Sequence, residues 1–173
     1  MRACLDVAYA PPVVGAACVL FRSWSDAEEV AHAVACSDAA APYVPGQFYR
    51  RELPHLLAVL GHVREPLESI VVDGYVWLGP SRPGLGAHLY EALGRRVAIV
   101  GVAKTPFGAS AARVTVEVFR GRSRRPLLVT SAGVEVAIAA KWVRAMHGRY
   151  RIPTLLRRAD QLSRSACGSR GGS

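Results

Sequence analysis

The stretch Ser69-Ile70-Val71-Val72-Asp73-Gly74 constrains the fold more than any other part of this chain. A continuous β-branched run suits a strand buried on both faces, and such strands belong to sheets that helices cover on either side. The run ends in a carboxylate and a glycine, so its last side chain emerges at the sheet edge. Residues 97–102 repeat the pattern and lead to Lys104. Two strands of this kind point to a two-sided α/β domain and make Asp73 a site candidate.

The rest of the chain supplies the other elements. Residues 5–9 and 16–21 are apolar runs separated by Pro11, Pro12 and Gly15, which reads as a β-hairpin. Residues 25–36 carry two signals. Ser25 and Glu28 have capping-box spacing, whereas Val30, His32 and Val34 alternate as a strand would. Residues 47–60 place Phe48, Leu53, Leu56, Leu57 and Leu60 at helical intervals, with Pro54 as an irregularity, and this helix carries Glu52. A helix over 85–93, an alternating strand over 114–119 paired with 127–130, and closing helices over 134–146 and 154–162 complete the order ββ(β)αβαβββαα, a mixed α/β domain.

Length and composition bound the organisation. At 173 residues and 51% hydrophobic, the chain can bury one substantial core. One domain over 1–164 and a flexible tail over 165–173, rich in Ser, Gly and Arg, are expected. No run reaches the roughly 20 apolar residues of a membrane span, and Met1 leads into no signal-peptide pattern, so a cytoplasmic protein is expected. Cys4, Cys18, Cys36 and Cys167 show neither CxxC spacing nor a Cys/His cluster, which argues against zinc and against a disulfide framework. The net charge of +9 comes from Arg far more than Lys. Arg suits phosphate, so a polyanionic partner is favoured, although high-GC coding would enrich Arg and Ala together.

In this basic chain, Asp6 within the first strand, Glu52 on a helix and Asp73 at a strand end are acids that a fold would present together. Unpaired burial of each would be expensive. Hard oxygen ligands of this kind suit Mg²⁺, which in phosphoryl transfer activates water and stabilises the leaving oxygen. The spacing alone equally allows caps or salt-bridge partners.

Six stretches add a more specific pattern: DVAY at 6–9, APYVPGQFYRRELP at 41–54, VVDG at 71–74, RPGLGAHL at 82–89, GVAKT at 101–105 and RIPTLLRRADQLSR at 151–164. In order and spacing they resemble the endonuclease V family. The resemblance implies a ribonuclease-H-like mixed sheet flanked by helices, with Asp6, Glu52 and Asp73 as metal-binding acids. It also implies Asp160 as a fourth acid and Lys104 beside the scissile phosphate. Asp160 also reads as an exposed helix residue paired with a neighbouring Arg, and Lys104 as a plain strand-end lysine. Pro42, Tyr43, Val44 and Pro45 resemble the family's wedge, a rigid turn pushed into the minor groove. Gly46, Gly74 and Gly84 resemble the glycines lining its pocket for the extruded base. The implied reaction is Mg²⁺-dependent hydrolysis of a phosphodiester 3′ to a deaminated base, hypoxanthine, with Mn²⁺ as a substitute ion. DNA or RNA is the implied partner and a monomer the expected species.

The chain departs from the family after VVDG. A second glycine and a His-Pro-Arg stretch are replaced by Tyr75, Val76, Trp77, Leu78, Gly79, Pro80 and Ser81, with Gly79 at the histidine position. Val76 is expected to narrow the base pocket. His88 remains, as a packed helix residue or a participant. The family's amino-terminal helical extension is not seen before Asp6, which implies a missing cover or a trimmed start. These departures leave open a nuclease with another modified or structured substrate, and a nucleic-acid binding protein without turnover. Arg120, Arg122, Arg124 and Arg125 are placed on a turn between strands, where they could hold backbone phosphates without reading sequence or simply be solvated; Arg124 is the residue singled out for test.

Overall fold

The computed structural model describes residues 1–37 and 49–168. A seven-stranded mixed sheet runs in the order β3-β2-β1-β4-β7-β9-β8. Its strands are β1 (Arg2–Ala10), β2 (Val13–Phe21), β3 (Ala31–Ser37), β4 (Ser69–Asp73), β7 (Ala98–Ala103), β8 (Val116–Val118) and β9 (Leu127–Ala132). A short ribbon, β5 (Trp77–Gly79) with β6 (Arg82–Pro83), stands apart. β1, β4 and β7 are mutually parallel and the remaining pairs of the large sheet are antiparallel. The segment with two signals resolves as a strand over its second half, because β3 pairs along the edge of β2.

The alternation along the three parallel strands divides the core. Leu5, Ile70, Val72 and Ile99 pack on one face with Leu56 and Val59 of α1 (Tyr49–Leu60) and Leu85 and Leu89 of α2 (Leu85–Ala92). Cys4, Val71, Val100 and Val102 pack on the other with α4 (Val136–Ala145) and α5 (Thr154–Gly168). The two-sided cover expected of the apolar runs is therefore what the chain builds. A single turn, α3 (Ala109–Ala112), lies between β7 and β8.

The closing helix departs from expectation. It was predicted to stop at Leu162, with a tail from 165, yet α5 runs to Gly168. The reason is a stripe read too short: Leu155, Leu156, Ala159, Ser163, Ala166 and Cys167 are buried at helical spacing, so the apolar face continues past the polar residues between them. α5 approaches β2 closely. A side chain at Gly15 would collide with the backbone carbonyl of Ser163. Among the described residues, no helix is long and apolar enough to cross a membrane.

Candidate active site

Strand register brings two acids side by side. β1 pairs with β4 so that Leu5 lies beside Val72, and the next residues along are Asp6 and Asp73. β4 pairs with β7 with Asp73 beside Val102, and Lys104 follows two residues later. Asp6, Asp73 and Lys104 share the alternation of Cys4, Val71 and Val102, so all three emerge toward the same face at the carboxyl ends of parallel strands. Ligand sites of open α/β sheets lie at those ends.

Glu52 arrives from a helix. It sits on the buried stripe of α1, with Leu56 and Val59 one and two turns on. A carboxylate in an apolar stripe is anomalous unless it is used, and Glu52 is only 8% exposed. Asp6, Glu52 and Asp73 line one cavity of about 260 Å³, together with Leu5, Leu56 and Leu85.

The charges are coupled. Burial pushes the Glu52 carboxyl up to about 8, and the charges of Asp6 and Asp73 add to the effect. Burial likewise lifts Asp6 to about 6, opposed by a hydrogen bond and reinforced by Asp73 and Asp160. That hydrogen bond comes from Ser163, whose Oγ donates to Asp6 Oδ2 at 2.5 Å. Lys104 Nζ donates to Asp73 Oδ2 as an ion pair. With these partners engaged, no three acid, thiol or imidazole side chains among the described residues stand close enough to hold an ion as placed. Oxygen-only donors crowded against mutual repulsion nonetheless fit a hard divalent cation, which would relieve that repulsion.

Asp160 has the Arg partner expected of a helix residue, Arg164 at 3.0 Å, and its charge reaches Asp6, but it does not line the cavity. Gly74 follows Asp73 with φ of +143°, and a side chain there would meet none of the described residues within 4 Å. It opens space beside the acid. Gly84 requires a correction: its amide donates to the Val76 carbonyl at 2.8 Å, and a Cβ would stand 2.6 Å from the Tyr75 carbonyl. Close packing of α2, with no amide left for a base, accounts for that glycine. Val76 is fully buried against Gly86 of α2 and does not line the acid cavity. His88 is packed, stacked on Tyr49 with ring centroids 3.5 Å apart.

Arg120 is also corrected. It is buried, and its guanidinium donates to the carbonyls of Met146, Gly148 and Arg151, a role that ties loops together beneath the surface. Arg122, Arg124 and Arg125 are exposed on the turn as expected. Pro42, Tyr43, Val44, Pro45 and Gly46 lie outside the described residues. Ser163 was missed because the closing helix was expected to stop at Leu162; its place one turn after Ala159 on the stripe was the available signal.

Comparison with known proteins fits this arrangement. The family model for Endonuclease V matches residues 2–161. The chain belongs to the endonuclease V family. Endonuclease V of Streptomyces avermitilis is 36% identical over 94% of this chain and 78% of its own length, and that of Streptomyces coelicolor 35% over 94% and 77%. The crystal structure of the Streptomyces avermitilis endonuclease V superimposes with a TM-score of 0.77 at 32% identity, covering 97% of this chain and 81% of that one. An endonuclease V of Ciona intestinalis, in complex with a 24mer DNA containing an inosine followed by a ribo-adenosine, has the same fold at 18% identity (TM-score 0.76, 97% and 86% covered). The protein is thus a phosphodiester hydrolase of a metal-dependent nuclease family.

Proposed function

We propose that this chain is a Mg²⁺-dependent endonuclease that cleaves a nucleic-acid strand 3′ to a deaminated base, hypoxanthine, in DNA. The observation that carries the reading is the convergence of Asp6, Glu52 and Asp73, from two strands and a helix, on one cavity beside Lys104. Asp6, Glu52 and Asp73 would hold the ion. A bound divalent cation supplies Lewis acidity and acidifies water. Lys104 is placed to offset charge developing on the scissile phosphate, Ser163 holds Asp6 in orientation, and Asp160 adds negative potential behind Asp6. Pro42, Tyr43, Val44, Pro45 and Gly46 are the proposed wedge and pocket entrance, Gly74 the space for the displaced nucleotide, and Arg124 a backbone-phosphate contact. Every acid comes from one chain, so a monomer suffices.

The Ciona intestinalis structure holds DNA with inosine followed by a ribo-adenosine, which makes RNA a substrate to test alongside DNA, and Mn²⁺ an ion to test alongside Mg²⁺. The experiment uses end-labelled DNA and RNA strands with or without one inosine, incubated with Mg²⁺ or EDTA, with Asp73→Ala as control. Cleavage confined to inosine strands, Mg²⁺ and intact Asp73 is expected. Metal-dependent cutting without inosine preference would move the substrate elsewhere, as Gly79 at the histidine position allows. Tight binding with no Asp73-dependent cutting would leave a binding protein.

A further inference from the structure

A second concavity of about 810 Å³ lies away from the acids, and its lining is cationic: Arg122, Arg149, Arg151 and Arg157 surround Tyr150 and Ile152 with no carboxylate among them. The arginines divide by what they do. Arg151 is structural, because its Nη2 donates to the backbone carbonyls of Pro126 and Lys104. Arg122, Arg149 and Arg157 donate to no backbone carbonyl and have no carboxylate partner among the described residues. On the same helix as Arg157, by contrast, Arg158 is paired with Glu29 and Arg164 with Asp160.

These guanidinium groups are also held in place. Arg149 and Arg157 lie 4.9 and 5.2 Å from the Tyr150 ring centroid, and Arg149 donates to the Tyr150 hydroxyl at 2.7 Å. Stacking on an aromatic face fixes the planar fork, so less entropy is lost when it meets an oxyanion. Beneath them, the buried Arg120 bonds three carbonyls and ties the 120–125 turn to the 146–151 loop. Arg151 connects the cleft to Lys104, the residue that pairs with Asp73.

We propose that Arg149 and Arg157, ordered by Tyr150, together with Arg122 on the same cleft, form a second nucleic-acid contact that takes backbone phosphates of the substrate away from the cleavage point. The proposal rests on the nuclease reading for the identity of the polyanion. Guanidinium groups without a carboxylate partner among the described residues, two of them stacked on Tyr150, in a cleft whose Arg151 bonds the Lys104 carbonyl, are what carries it, and phosphodiesters match their charge and geometry.

The test compares the wild type with Arg149→Gln/Arg157→Gln and with Arg122→Gln. None of the three side chains bonds the backbone, and circular dichroism confirms folding. Binding to a lesion-containing duplex of about 30 base pairs and to one trimmed to a few pairs on either side is measured by fluorescence anisotropy in EDTA over a salt series. On the long duplex the double variant is expected to bind at least about tenfold more weakly, with the salt slope lower by about two. On the short duplex it should match the wild type. Unchanged affinity and slope on the long duplex would overturn the proposal. Unchanged duplex binding with loss of a polyglutamate peptide would overturn it in favour of an acidic protein partner. If the wild type cleaves nothing while the variant still loses the long duplex, the nuclease reading fails and the cleft stands.

Discussion

The carboxylate cavity and the arginine cleft are linked through Lys104, which pairs with Asp73 and accepts from Arg151 on its carbonyl, yet they are made of opposite materials. The cavity draws its acids from the middle of β1, the end of β4 and the buried stripe of α1, so the packed sheet fixes where they stand. The cleft is assembled from a turn, a loop and one turn of α5, held by Arg120 and Arg151. Asp6 and Glu52 are buried, Asp73 is half-buried, and the three repel one another. The arginines of the cleft are exposed, except half-buried Arg151, and none of them has a carboxylate partner among the described residues. Chemistry on a phosphodiester needs the first kind of site, where few partners and little water make each charge count. Holding a polyanion in place needs only the second.

Substitutions should therefore separate the two regions. Lys104→Met is expected to lower the cleavage rate by about 10²- to 10³-fold with little change in duplex affinity, as for loss of one positioned donor. A comparable loss in affinity would assign Lys104 to holding rather than to chemistry. Ser163→Ala removes the hydrogen bond that orients Asp6 and should cost about ten- to a hundredfold in cleavage or metal affinity, with a smaller deficit at saturating metal. Arg124→Ala should lower the salt slope of binding by about one and leave site preference alone; an unchanged slope would make Arg124 a solvated turn residue.

The smallest effect is on stability, and it has opposite sign to the effect on function. Glu52 ionises near 8 in the folded chain against an ordinary 4.5, so its contribution to folding is fully present below pH 4.5 and is lost as pH rises toward 8. In EDTA, Glu52→Gln should raise the melting temperature by a few degrees at pH 8 and leave it nearly unchanged at pH 4. A variant less stable at pH 8 would mean that the Glu52 carboxylate is satisfied by the protein alone.

Much of the cavity was legible in the sequence because its positions obey short-range rules. The β-branched run before Asp73 and the one before Lys104 mark buried strands, and their alternation puts both side chains toward one face. Glu52 was legible through the motif around it; its burial follows from the i, i+4, i+7 stripe with Leu56 and Val59. The arginine cleft was not legible, because its partners are far apart in sequence and nothing local distinguishes Arg120, which is buried, from Arg122, which is exposed. The burial of Val76 was not legible for a similar reason: it depends on how the turn after Asp73 crosses Gly86. Ser163 was lost to composition, since a Ser- and Arg-rich segment hides a helical stripe made of Ala, Ser and Cys.

The most direct test of the account is Mn²⁺ binding, followed by electron paramagnetic resonance, in the wild type and in Asp6→Asn, Glu52→Gln and Asp73→Asn. Saturable binding in the wild type that weakens at least about tenfold in each single variant is predicted, because the three oxygens act on the same ion. Wild-type affinity retained in all three variants would contradict it.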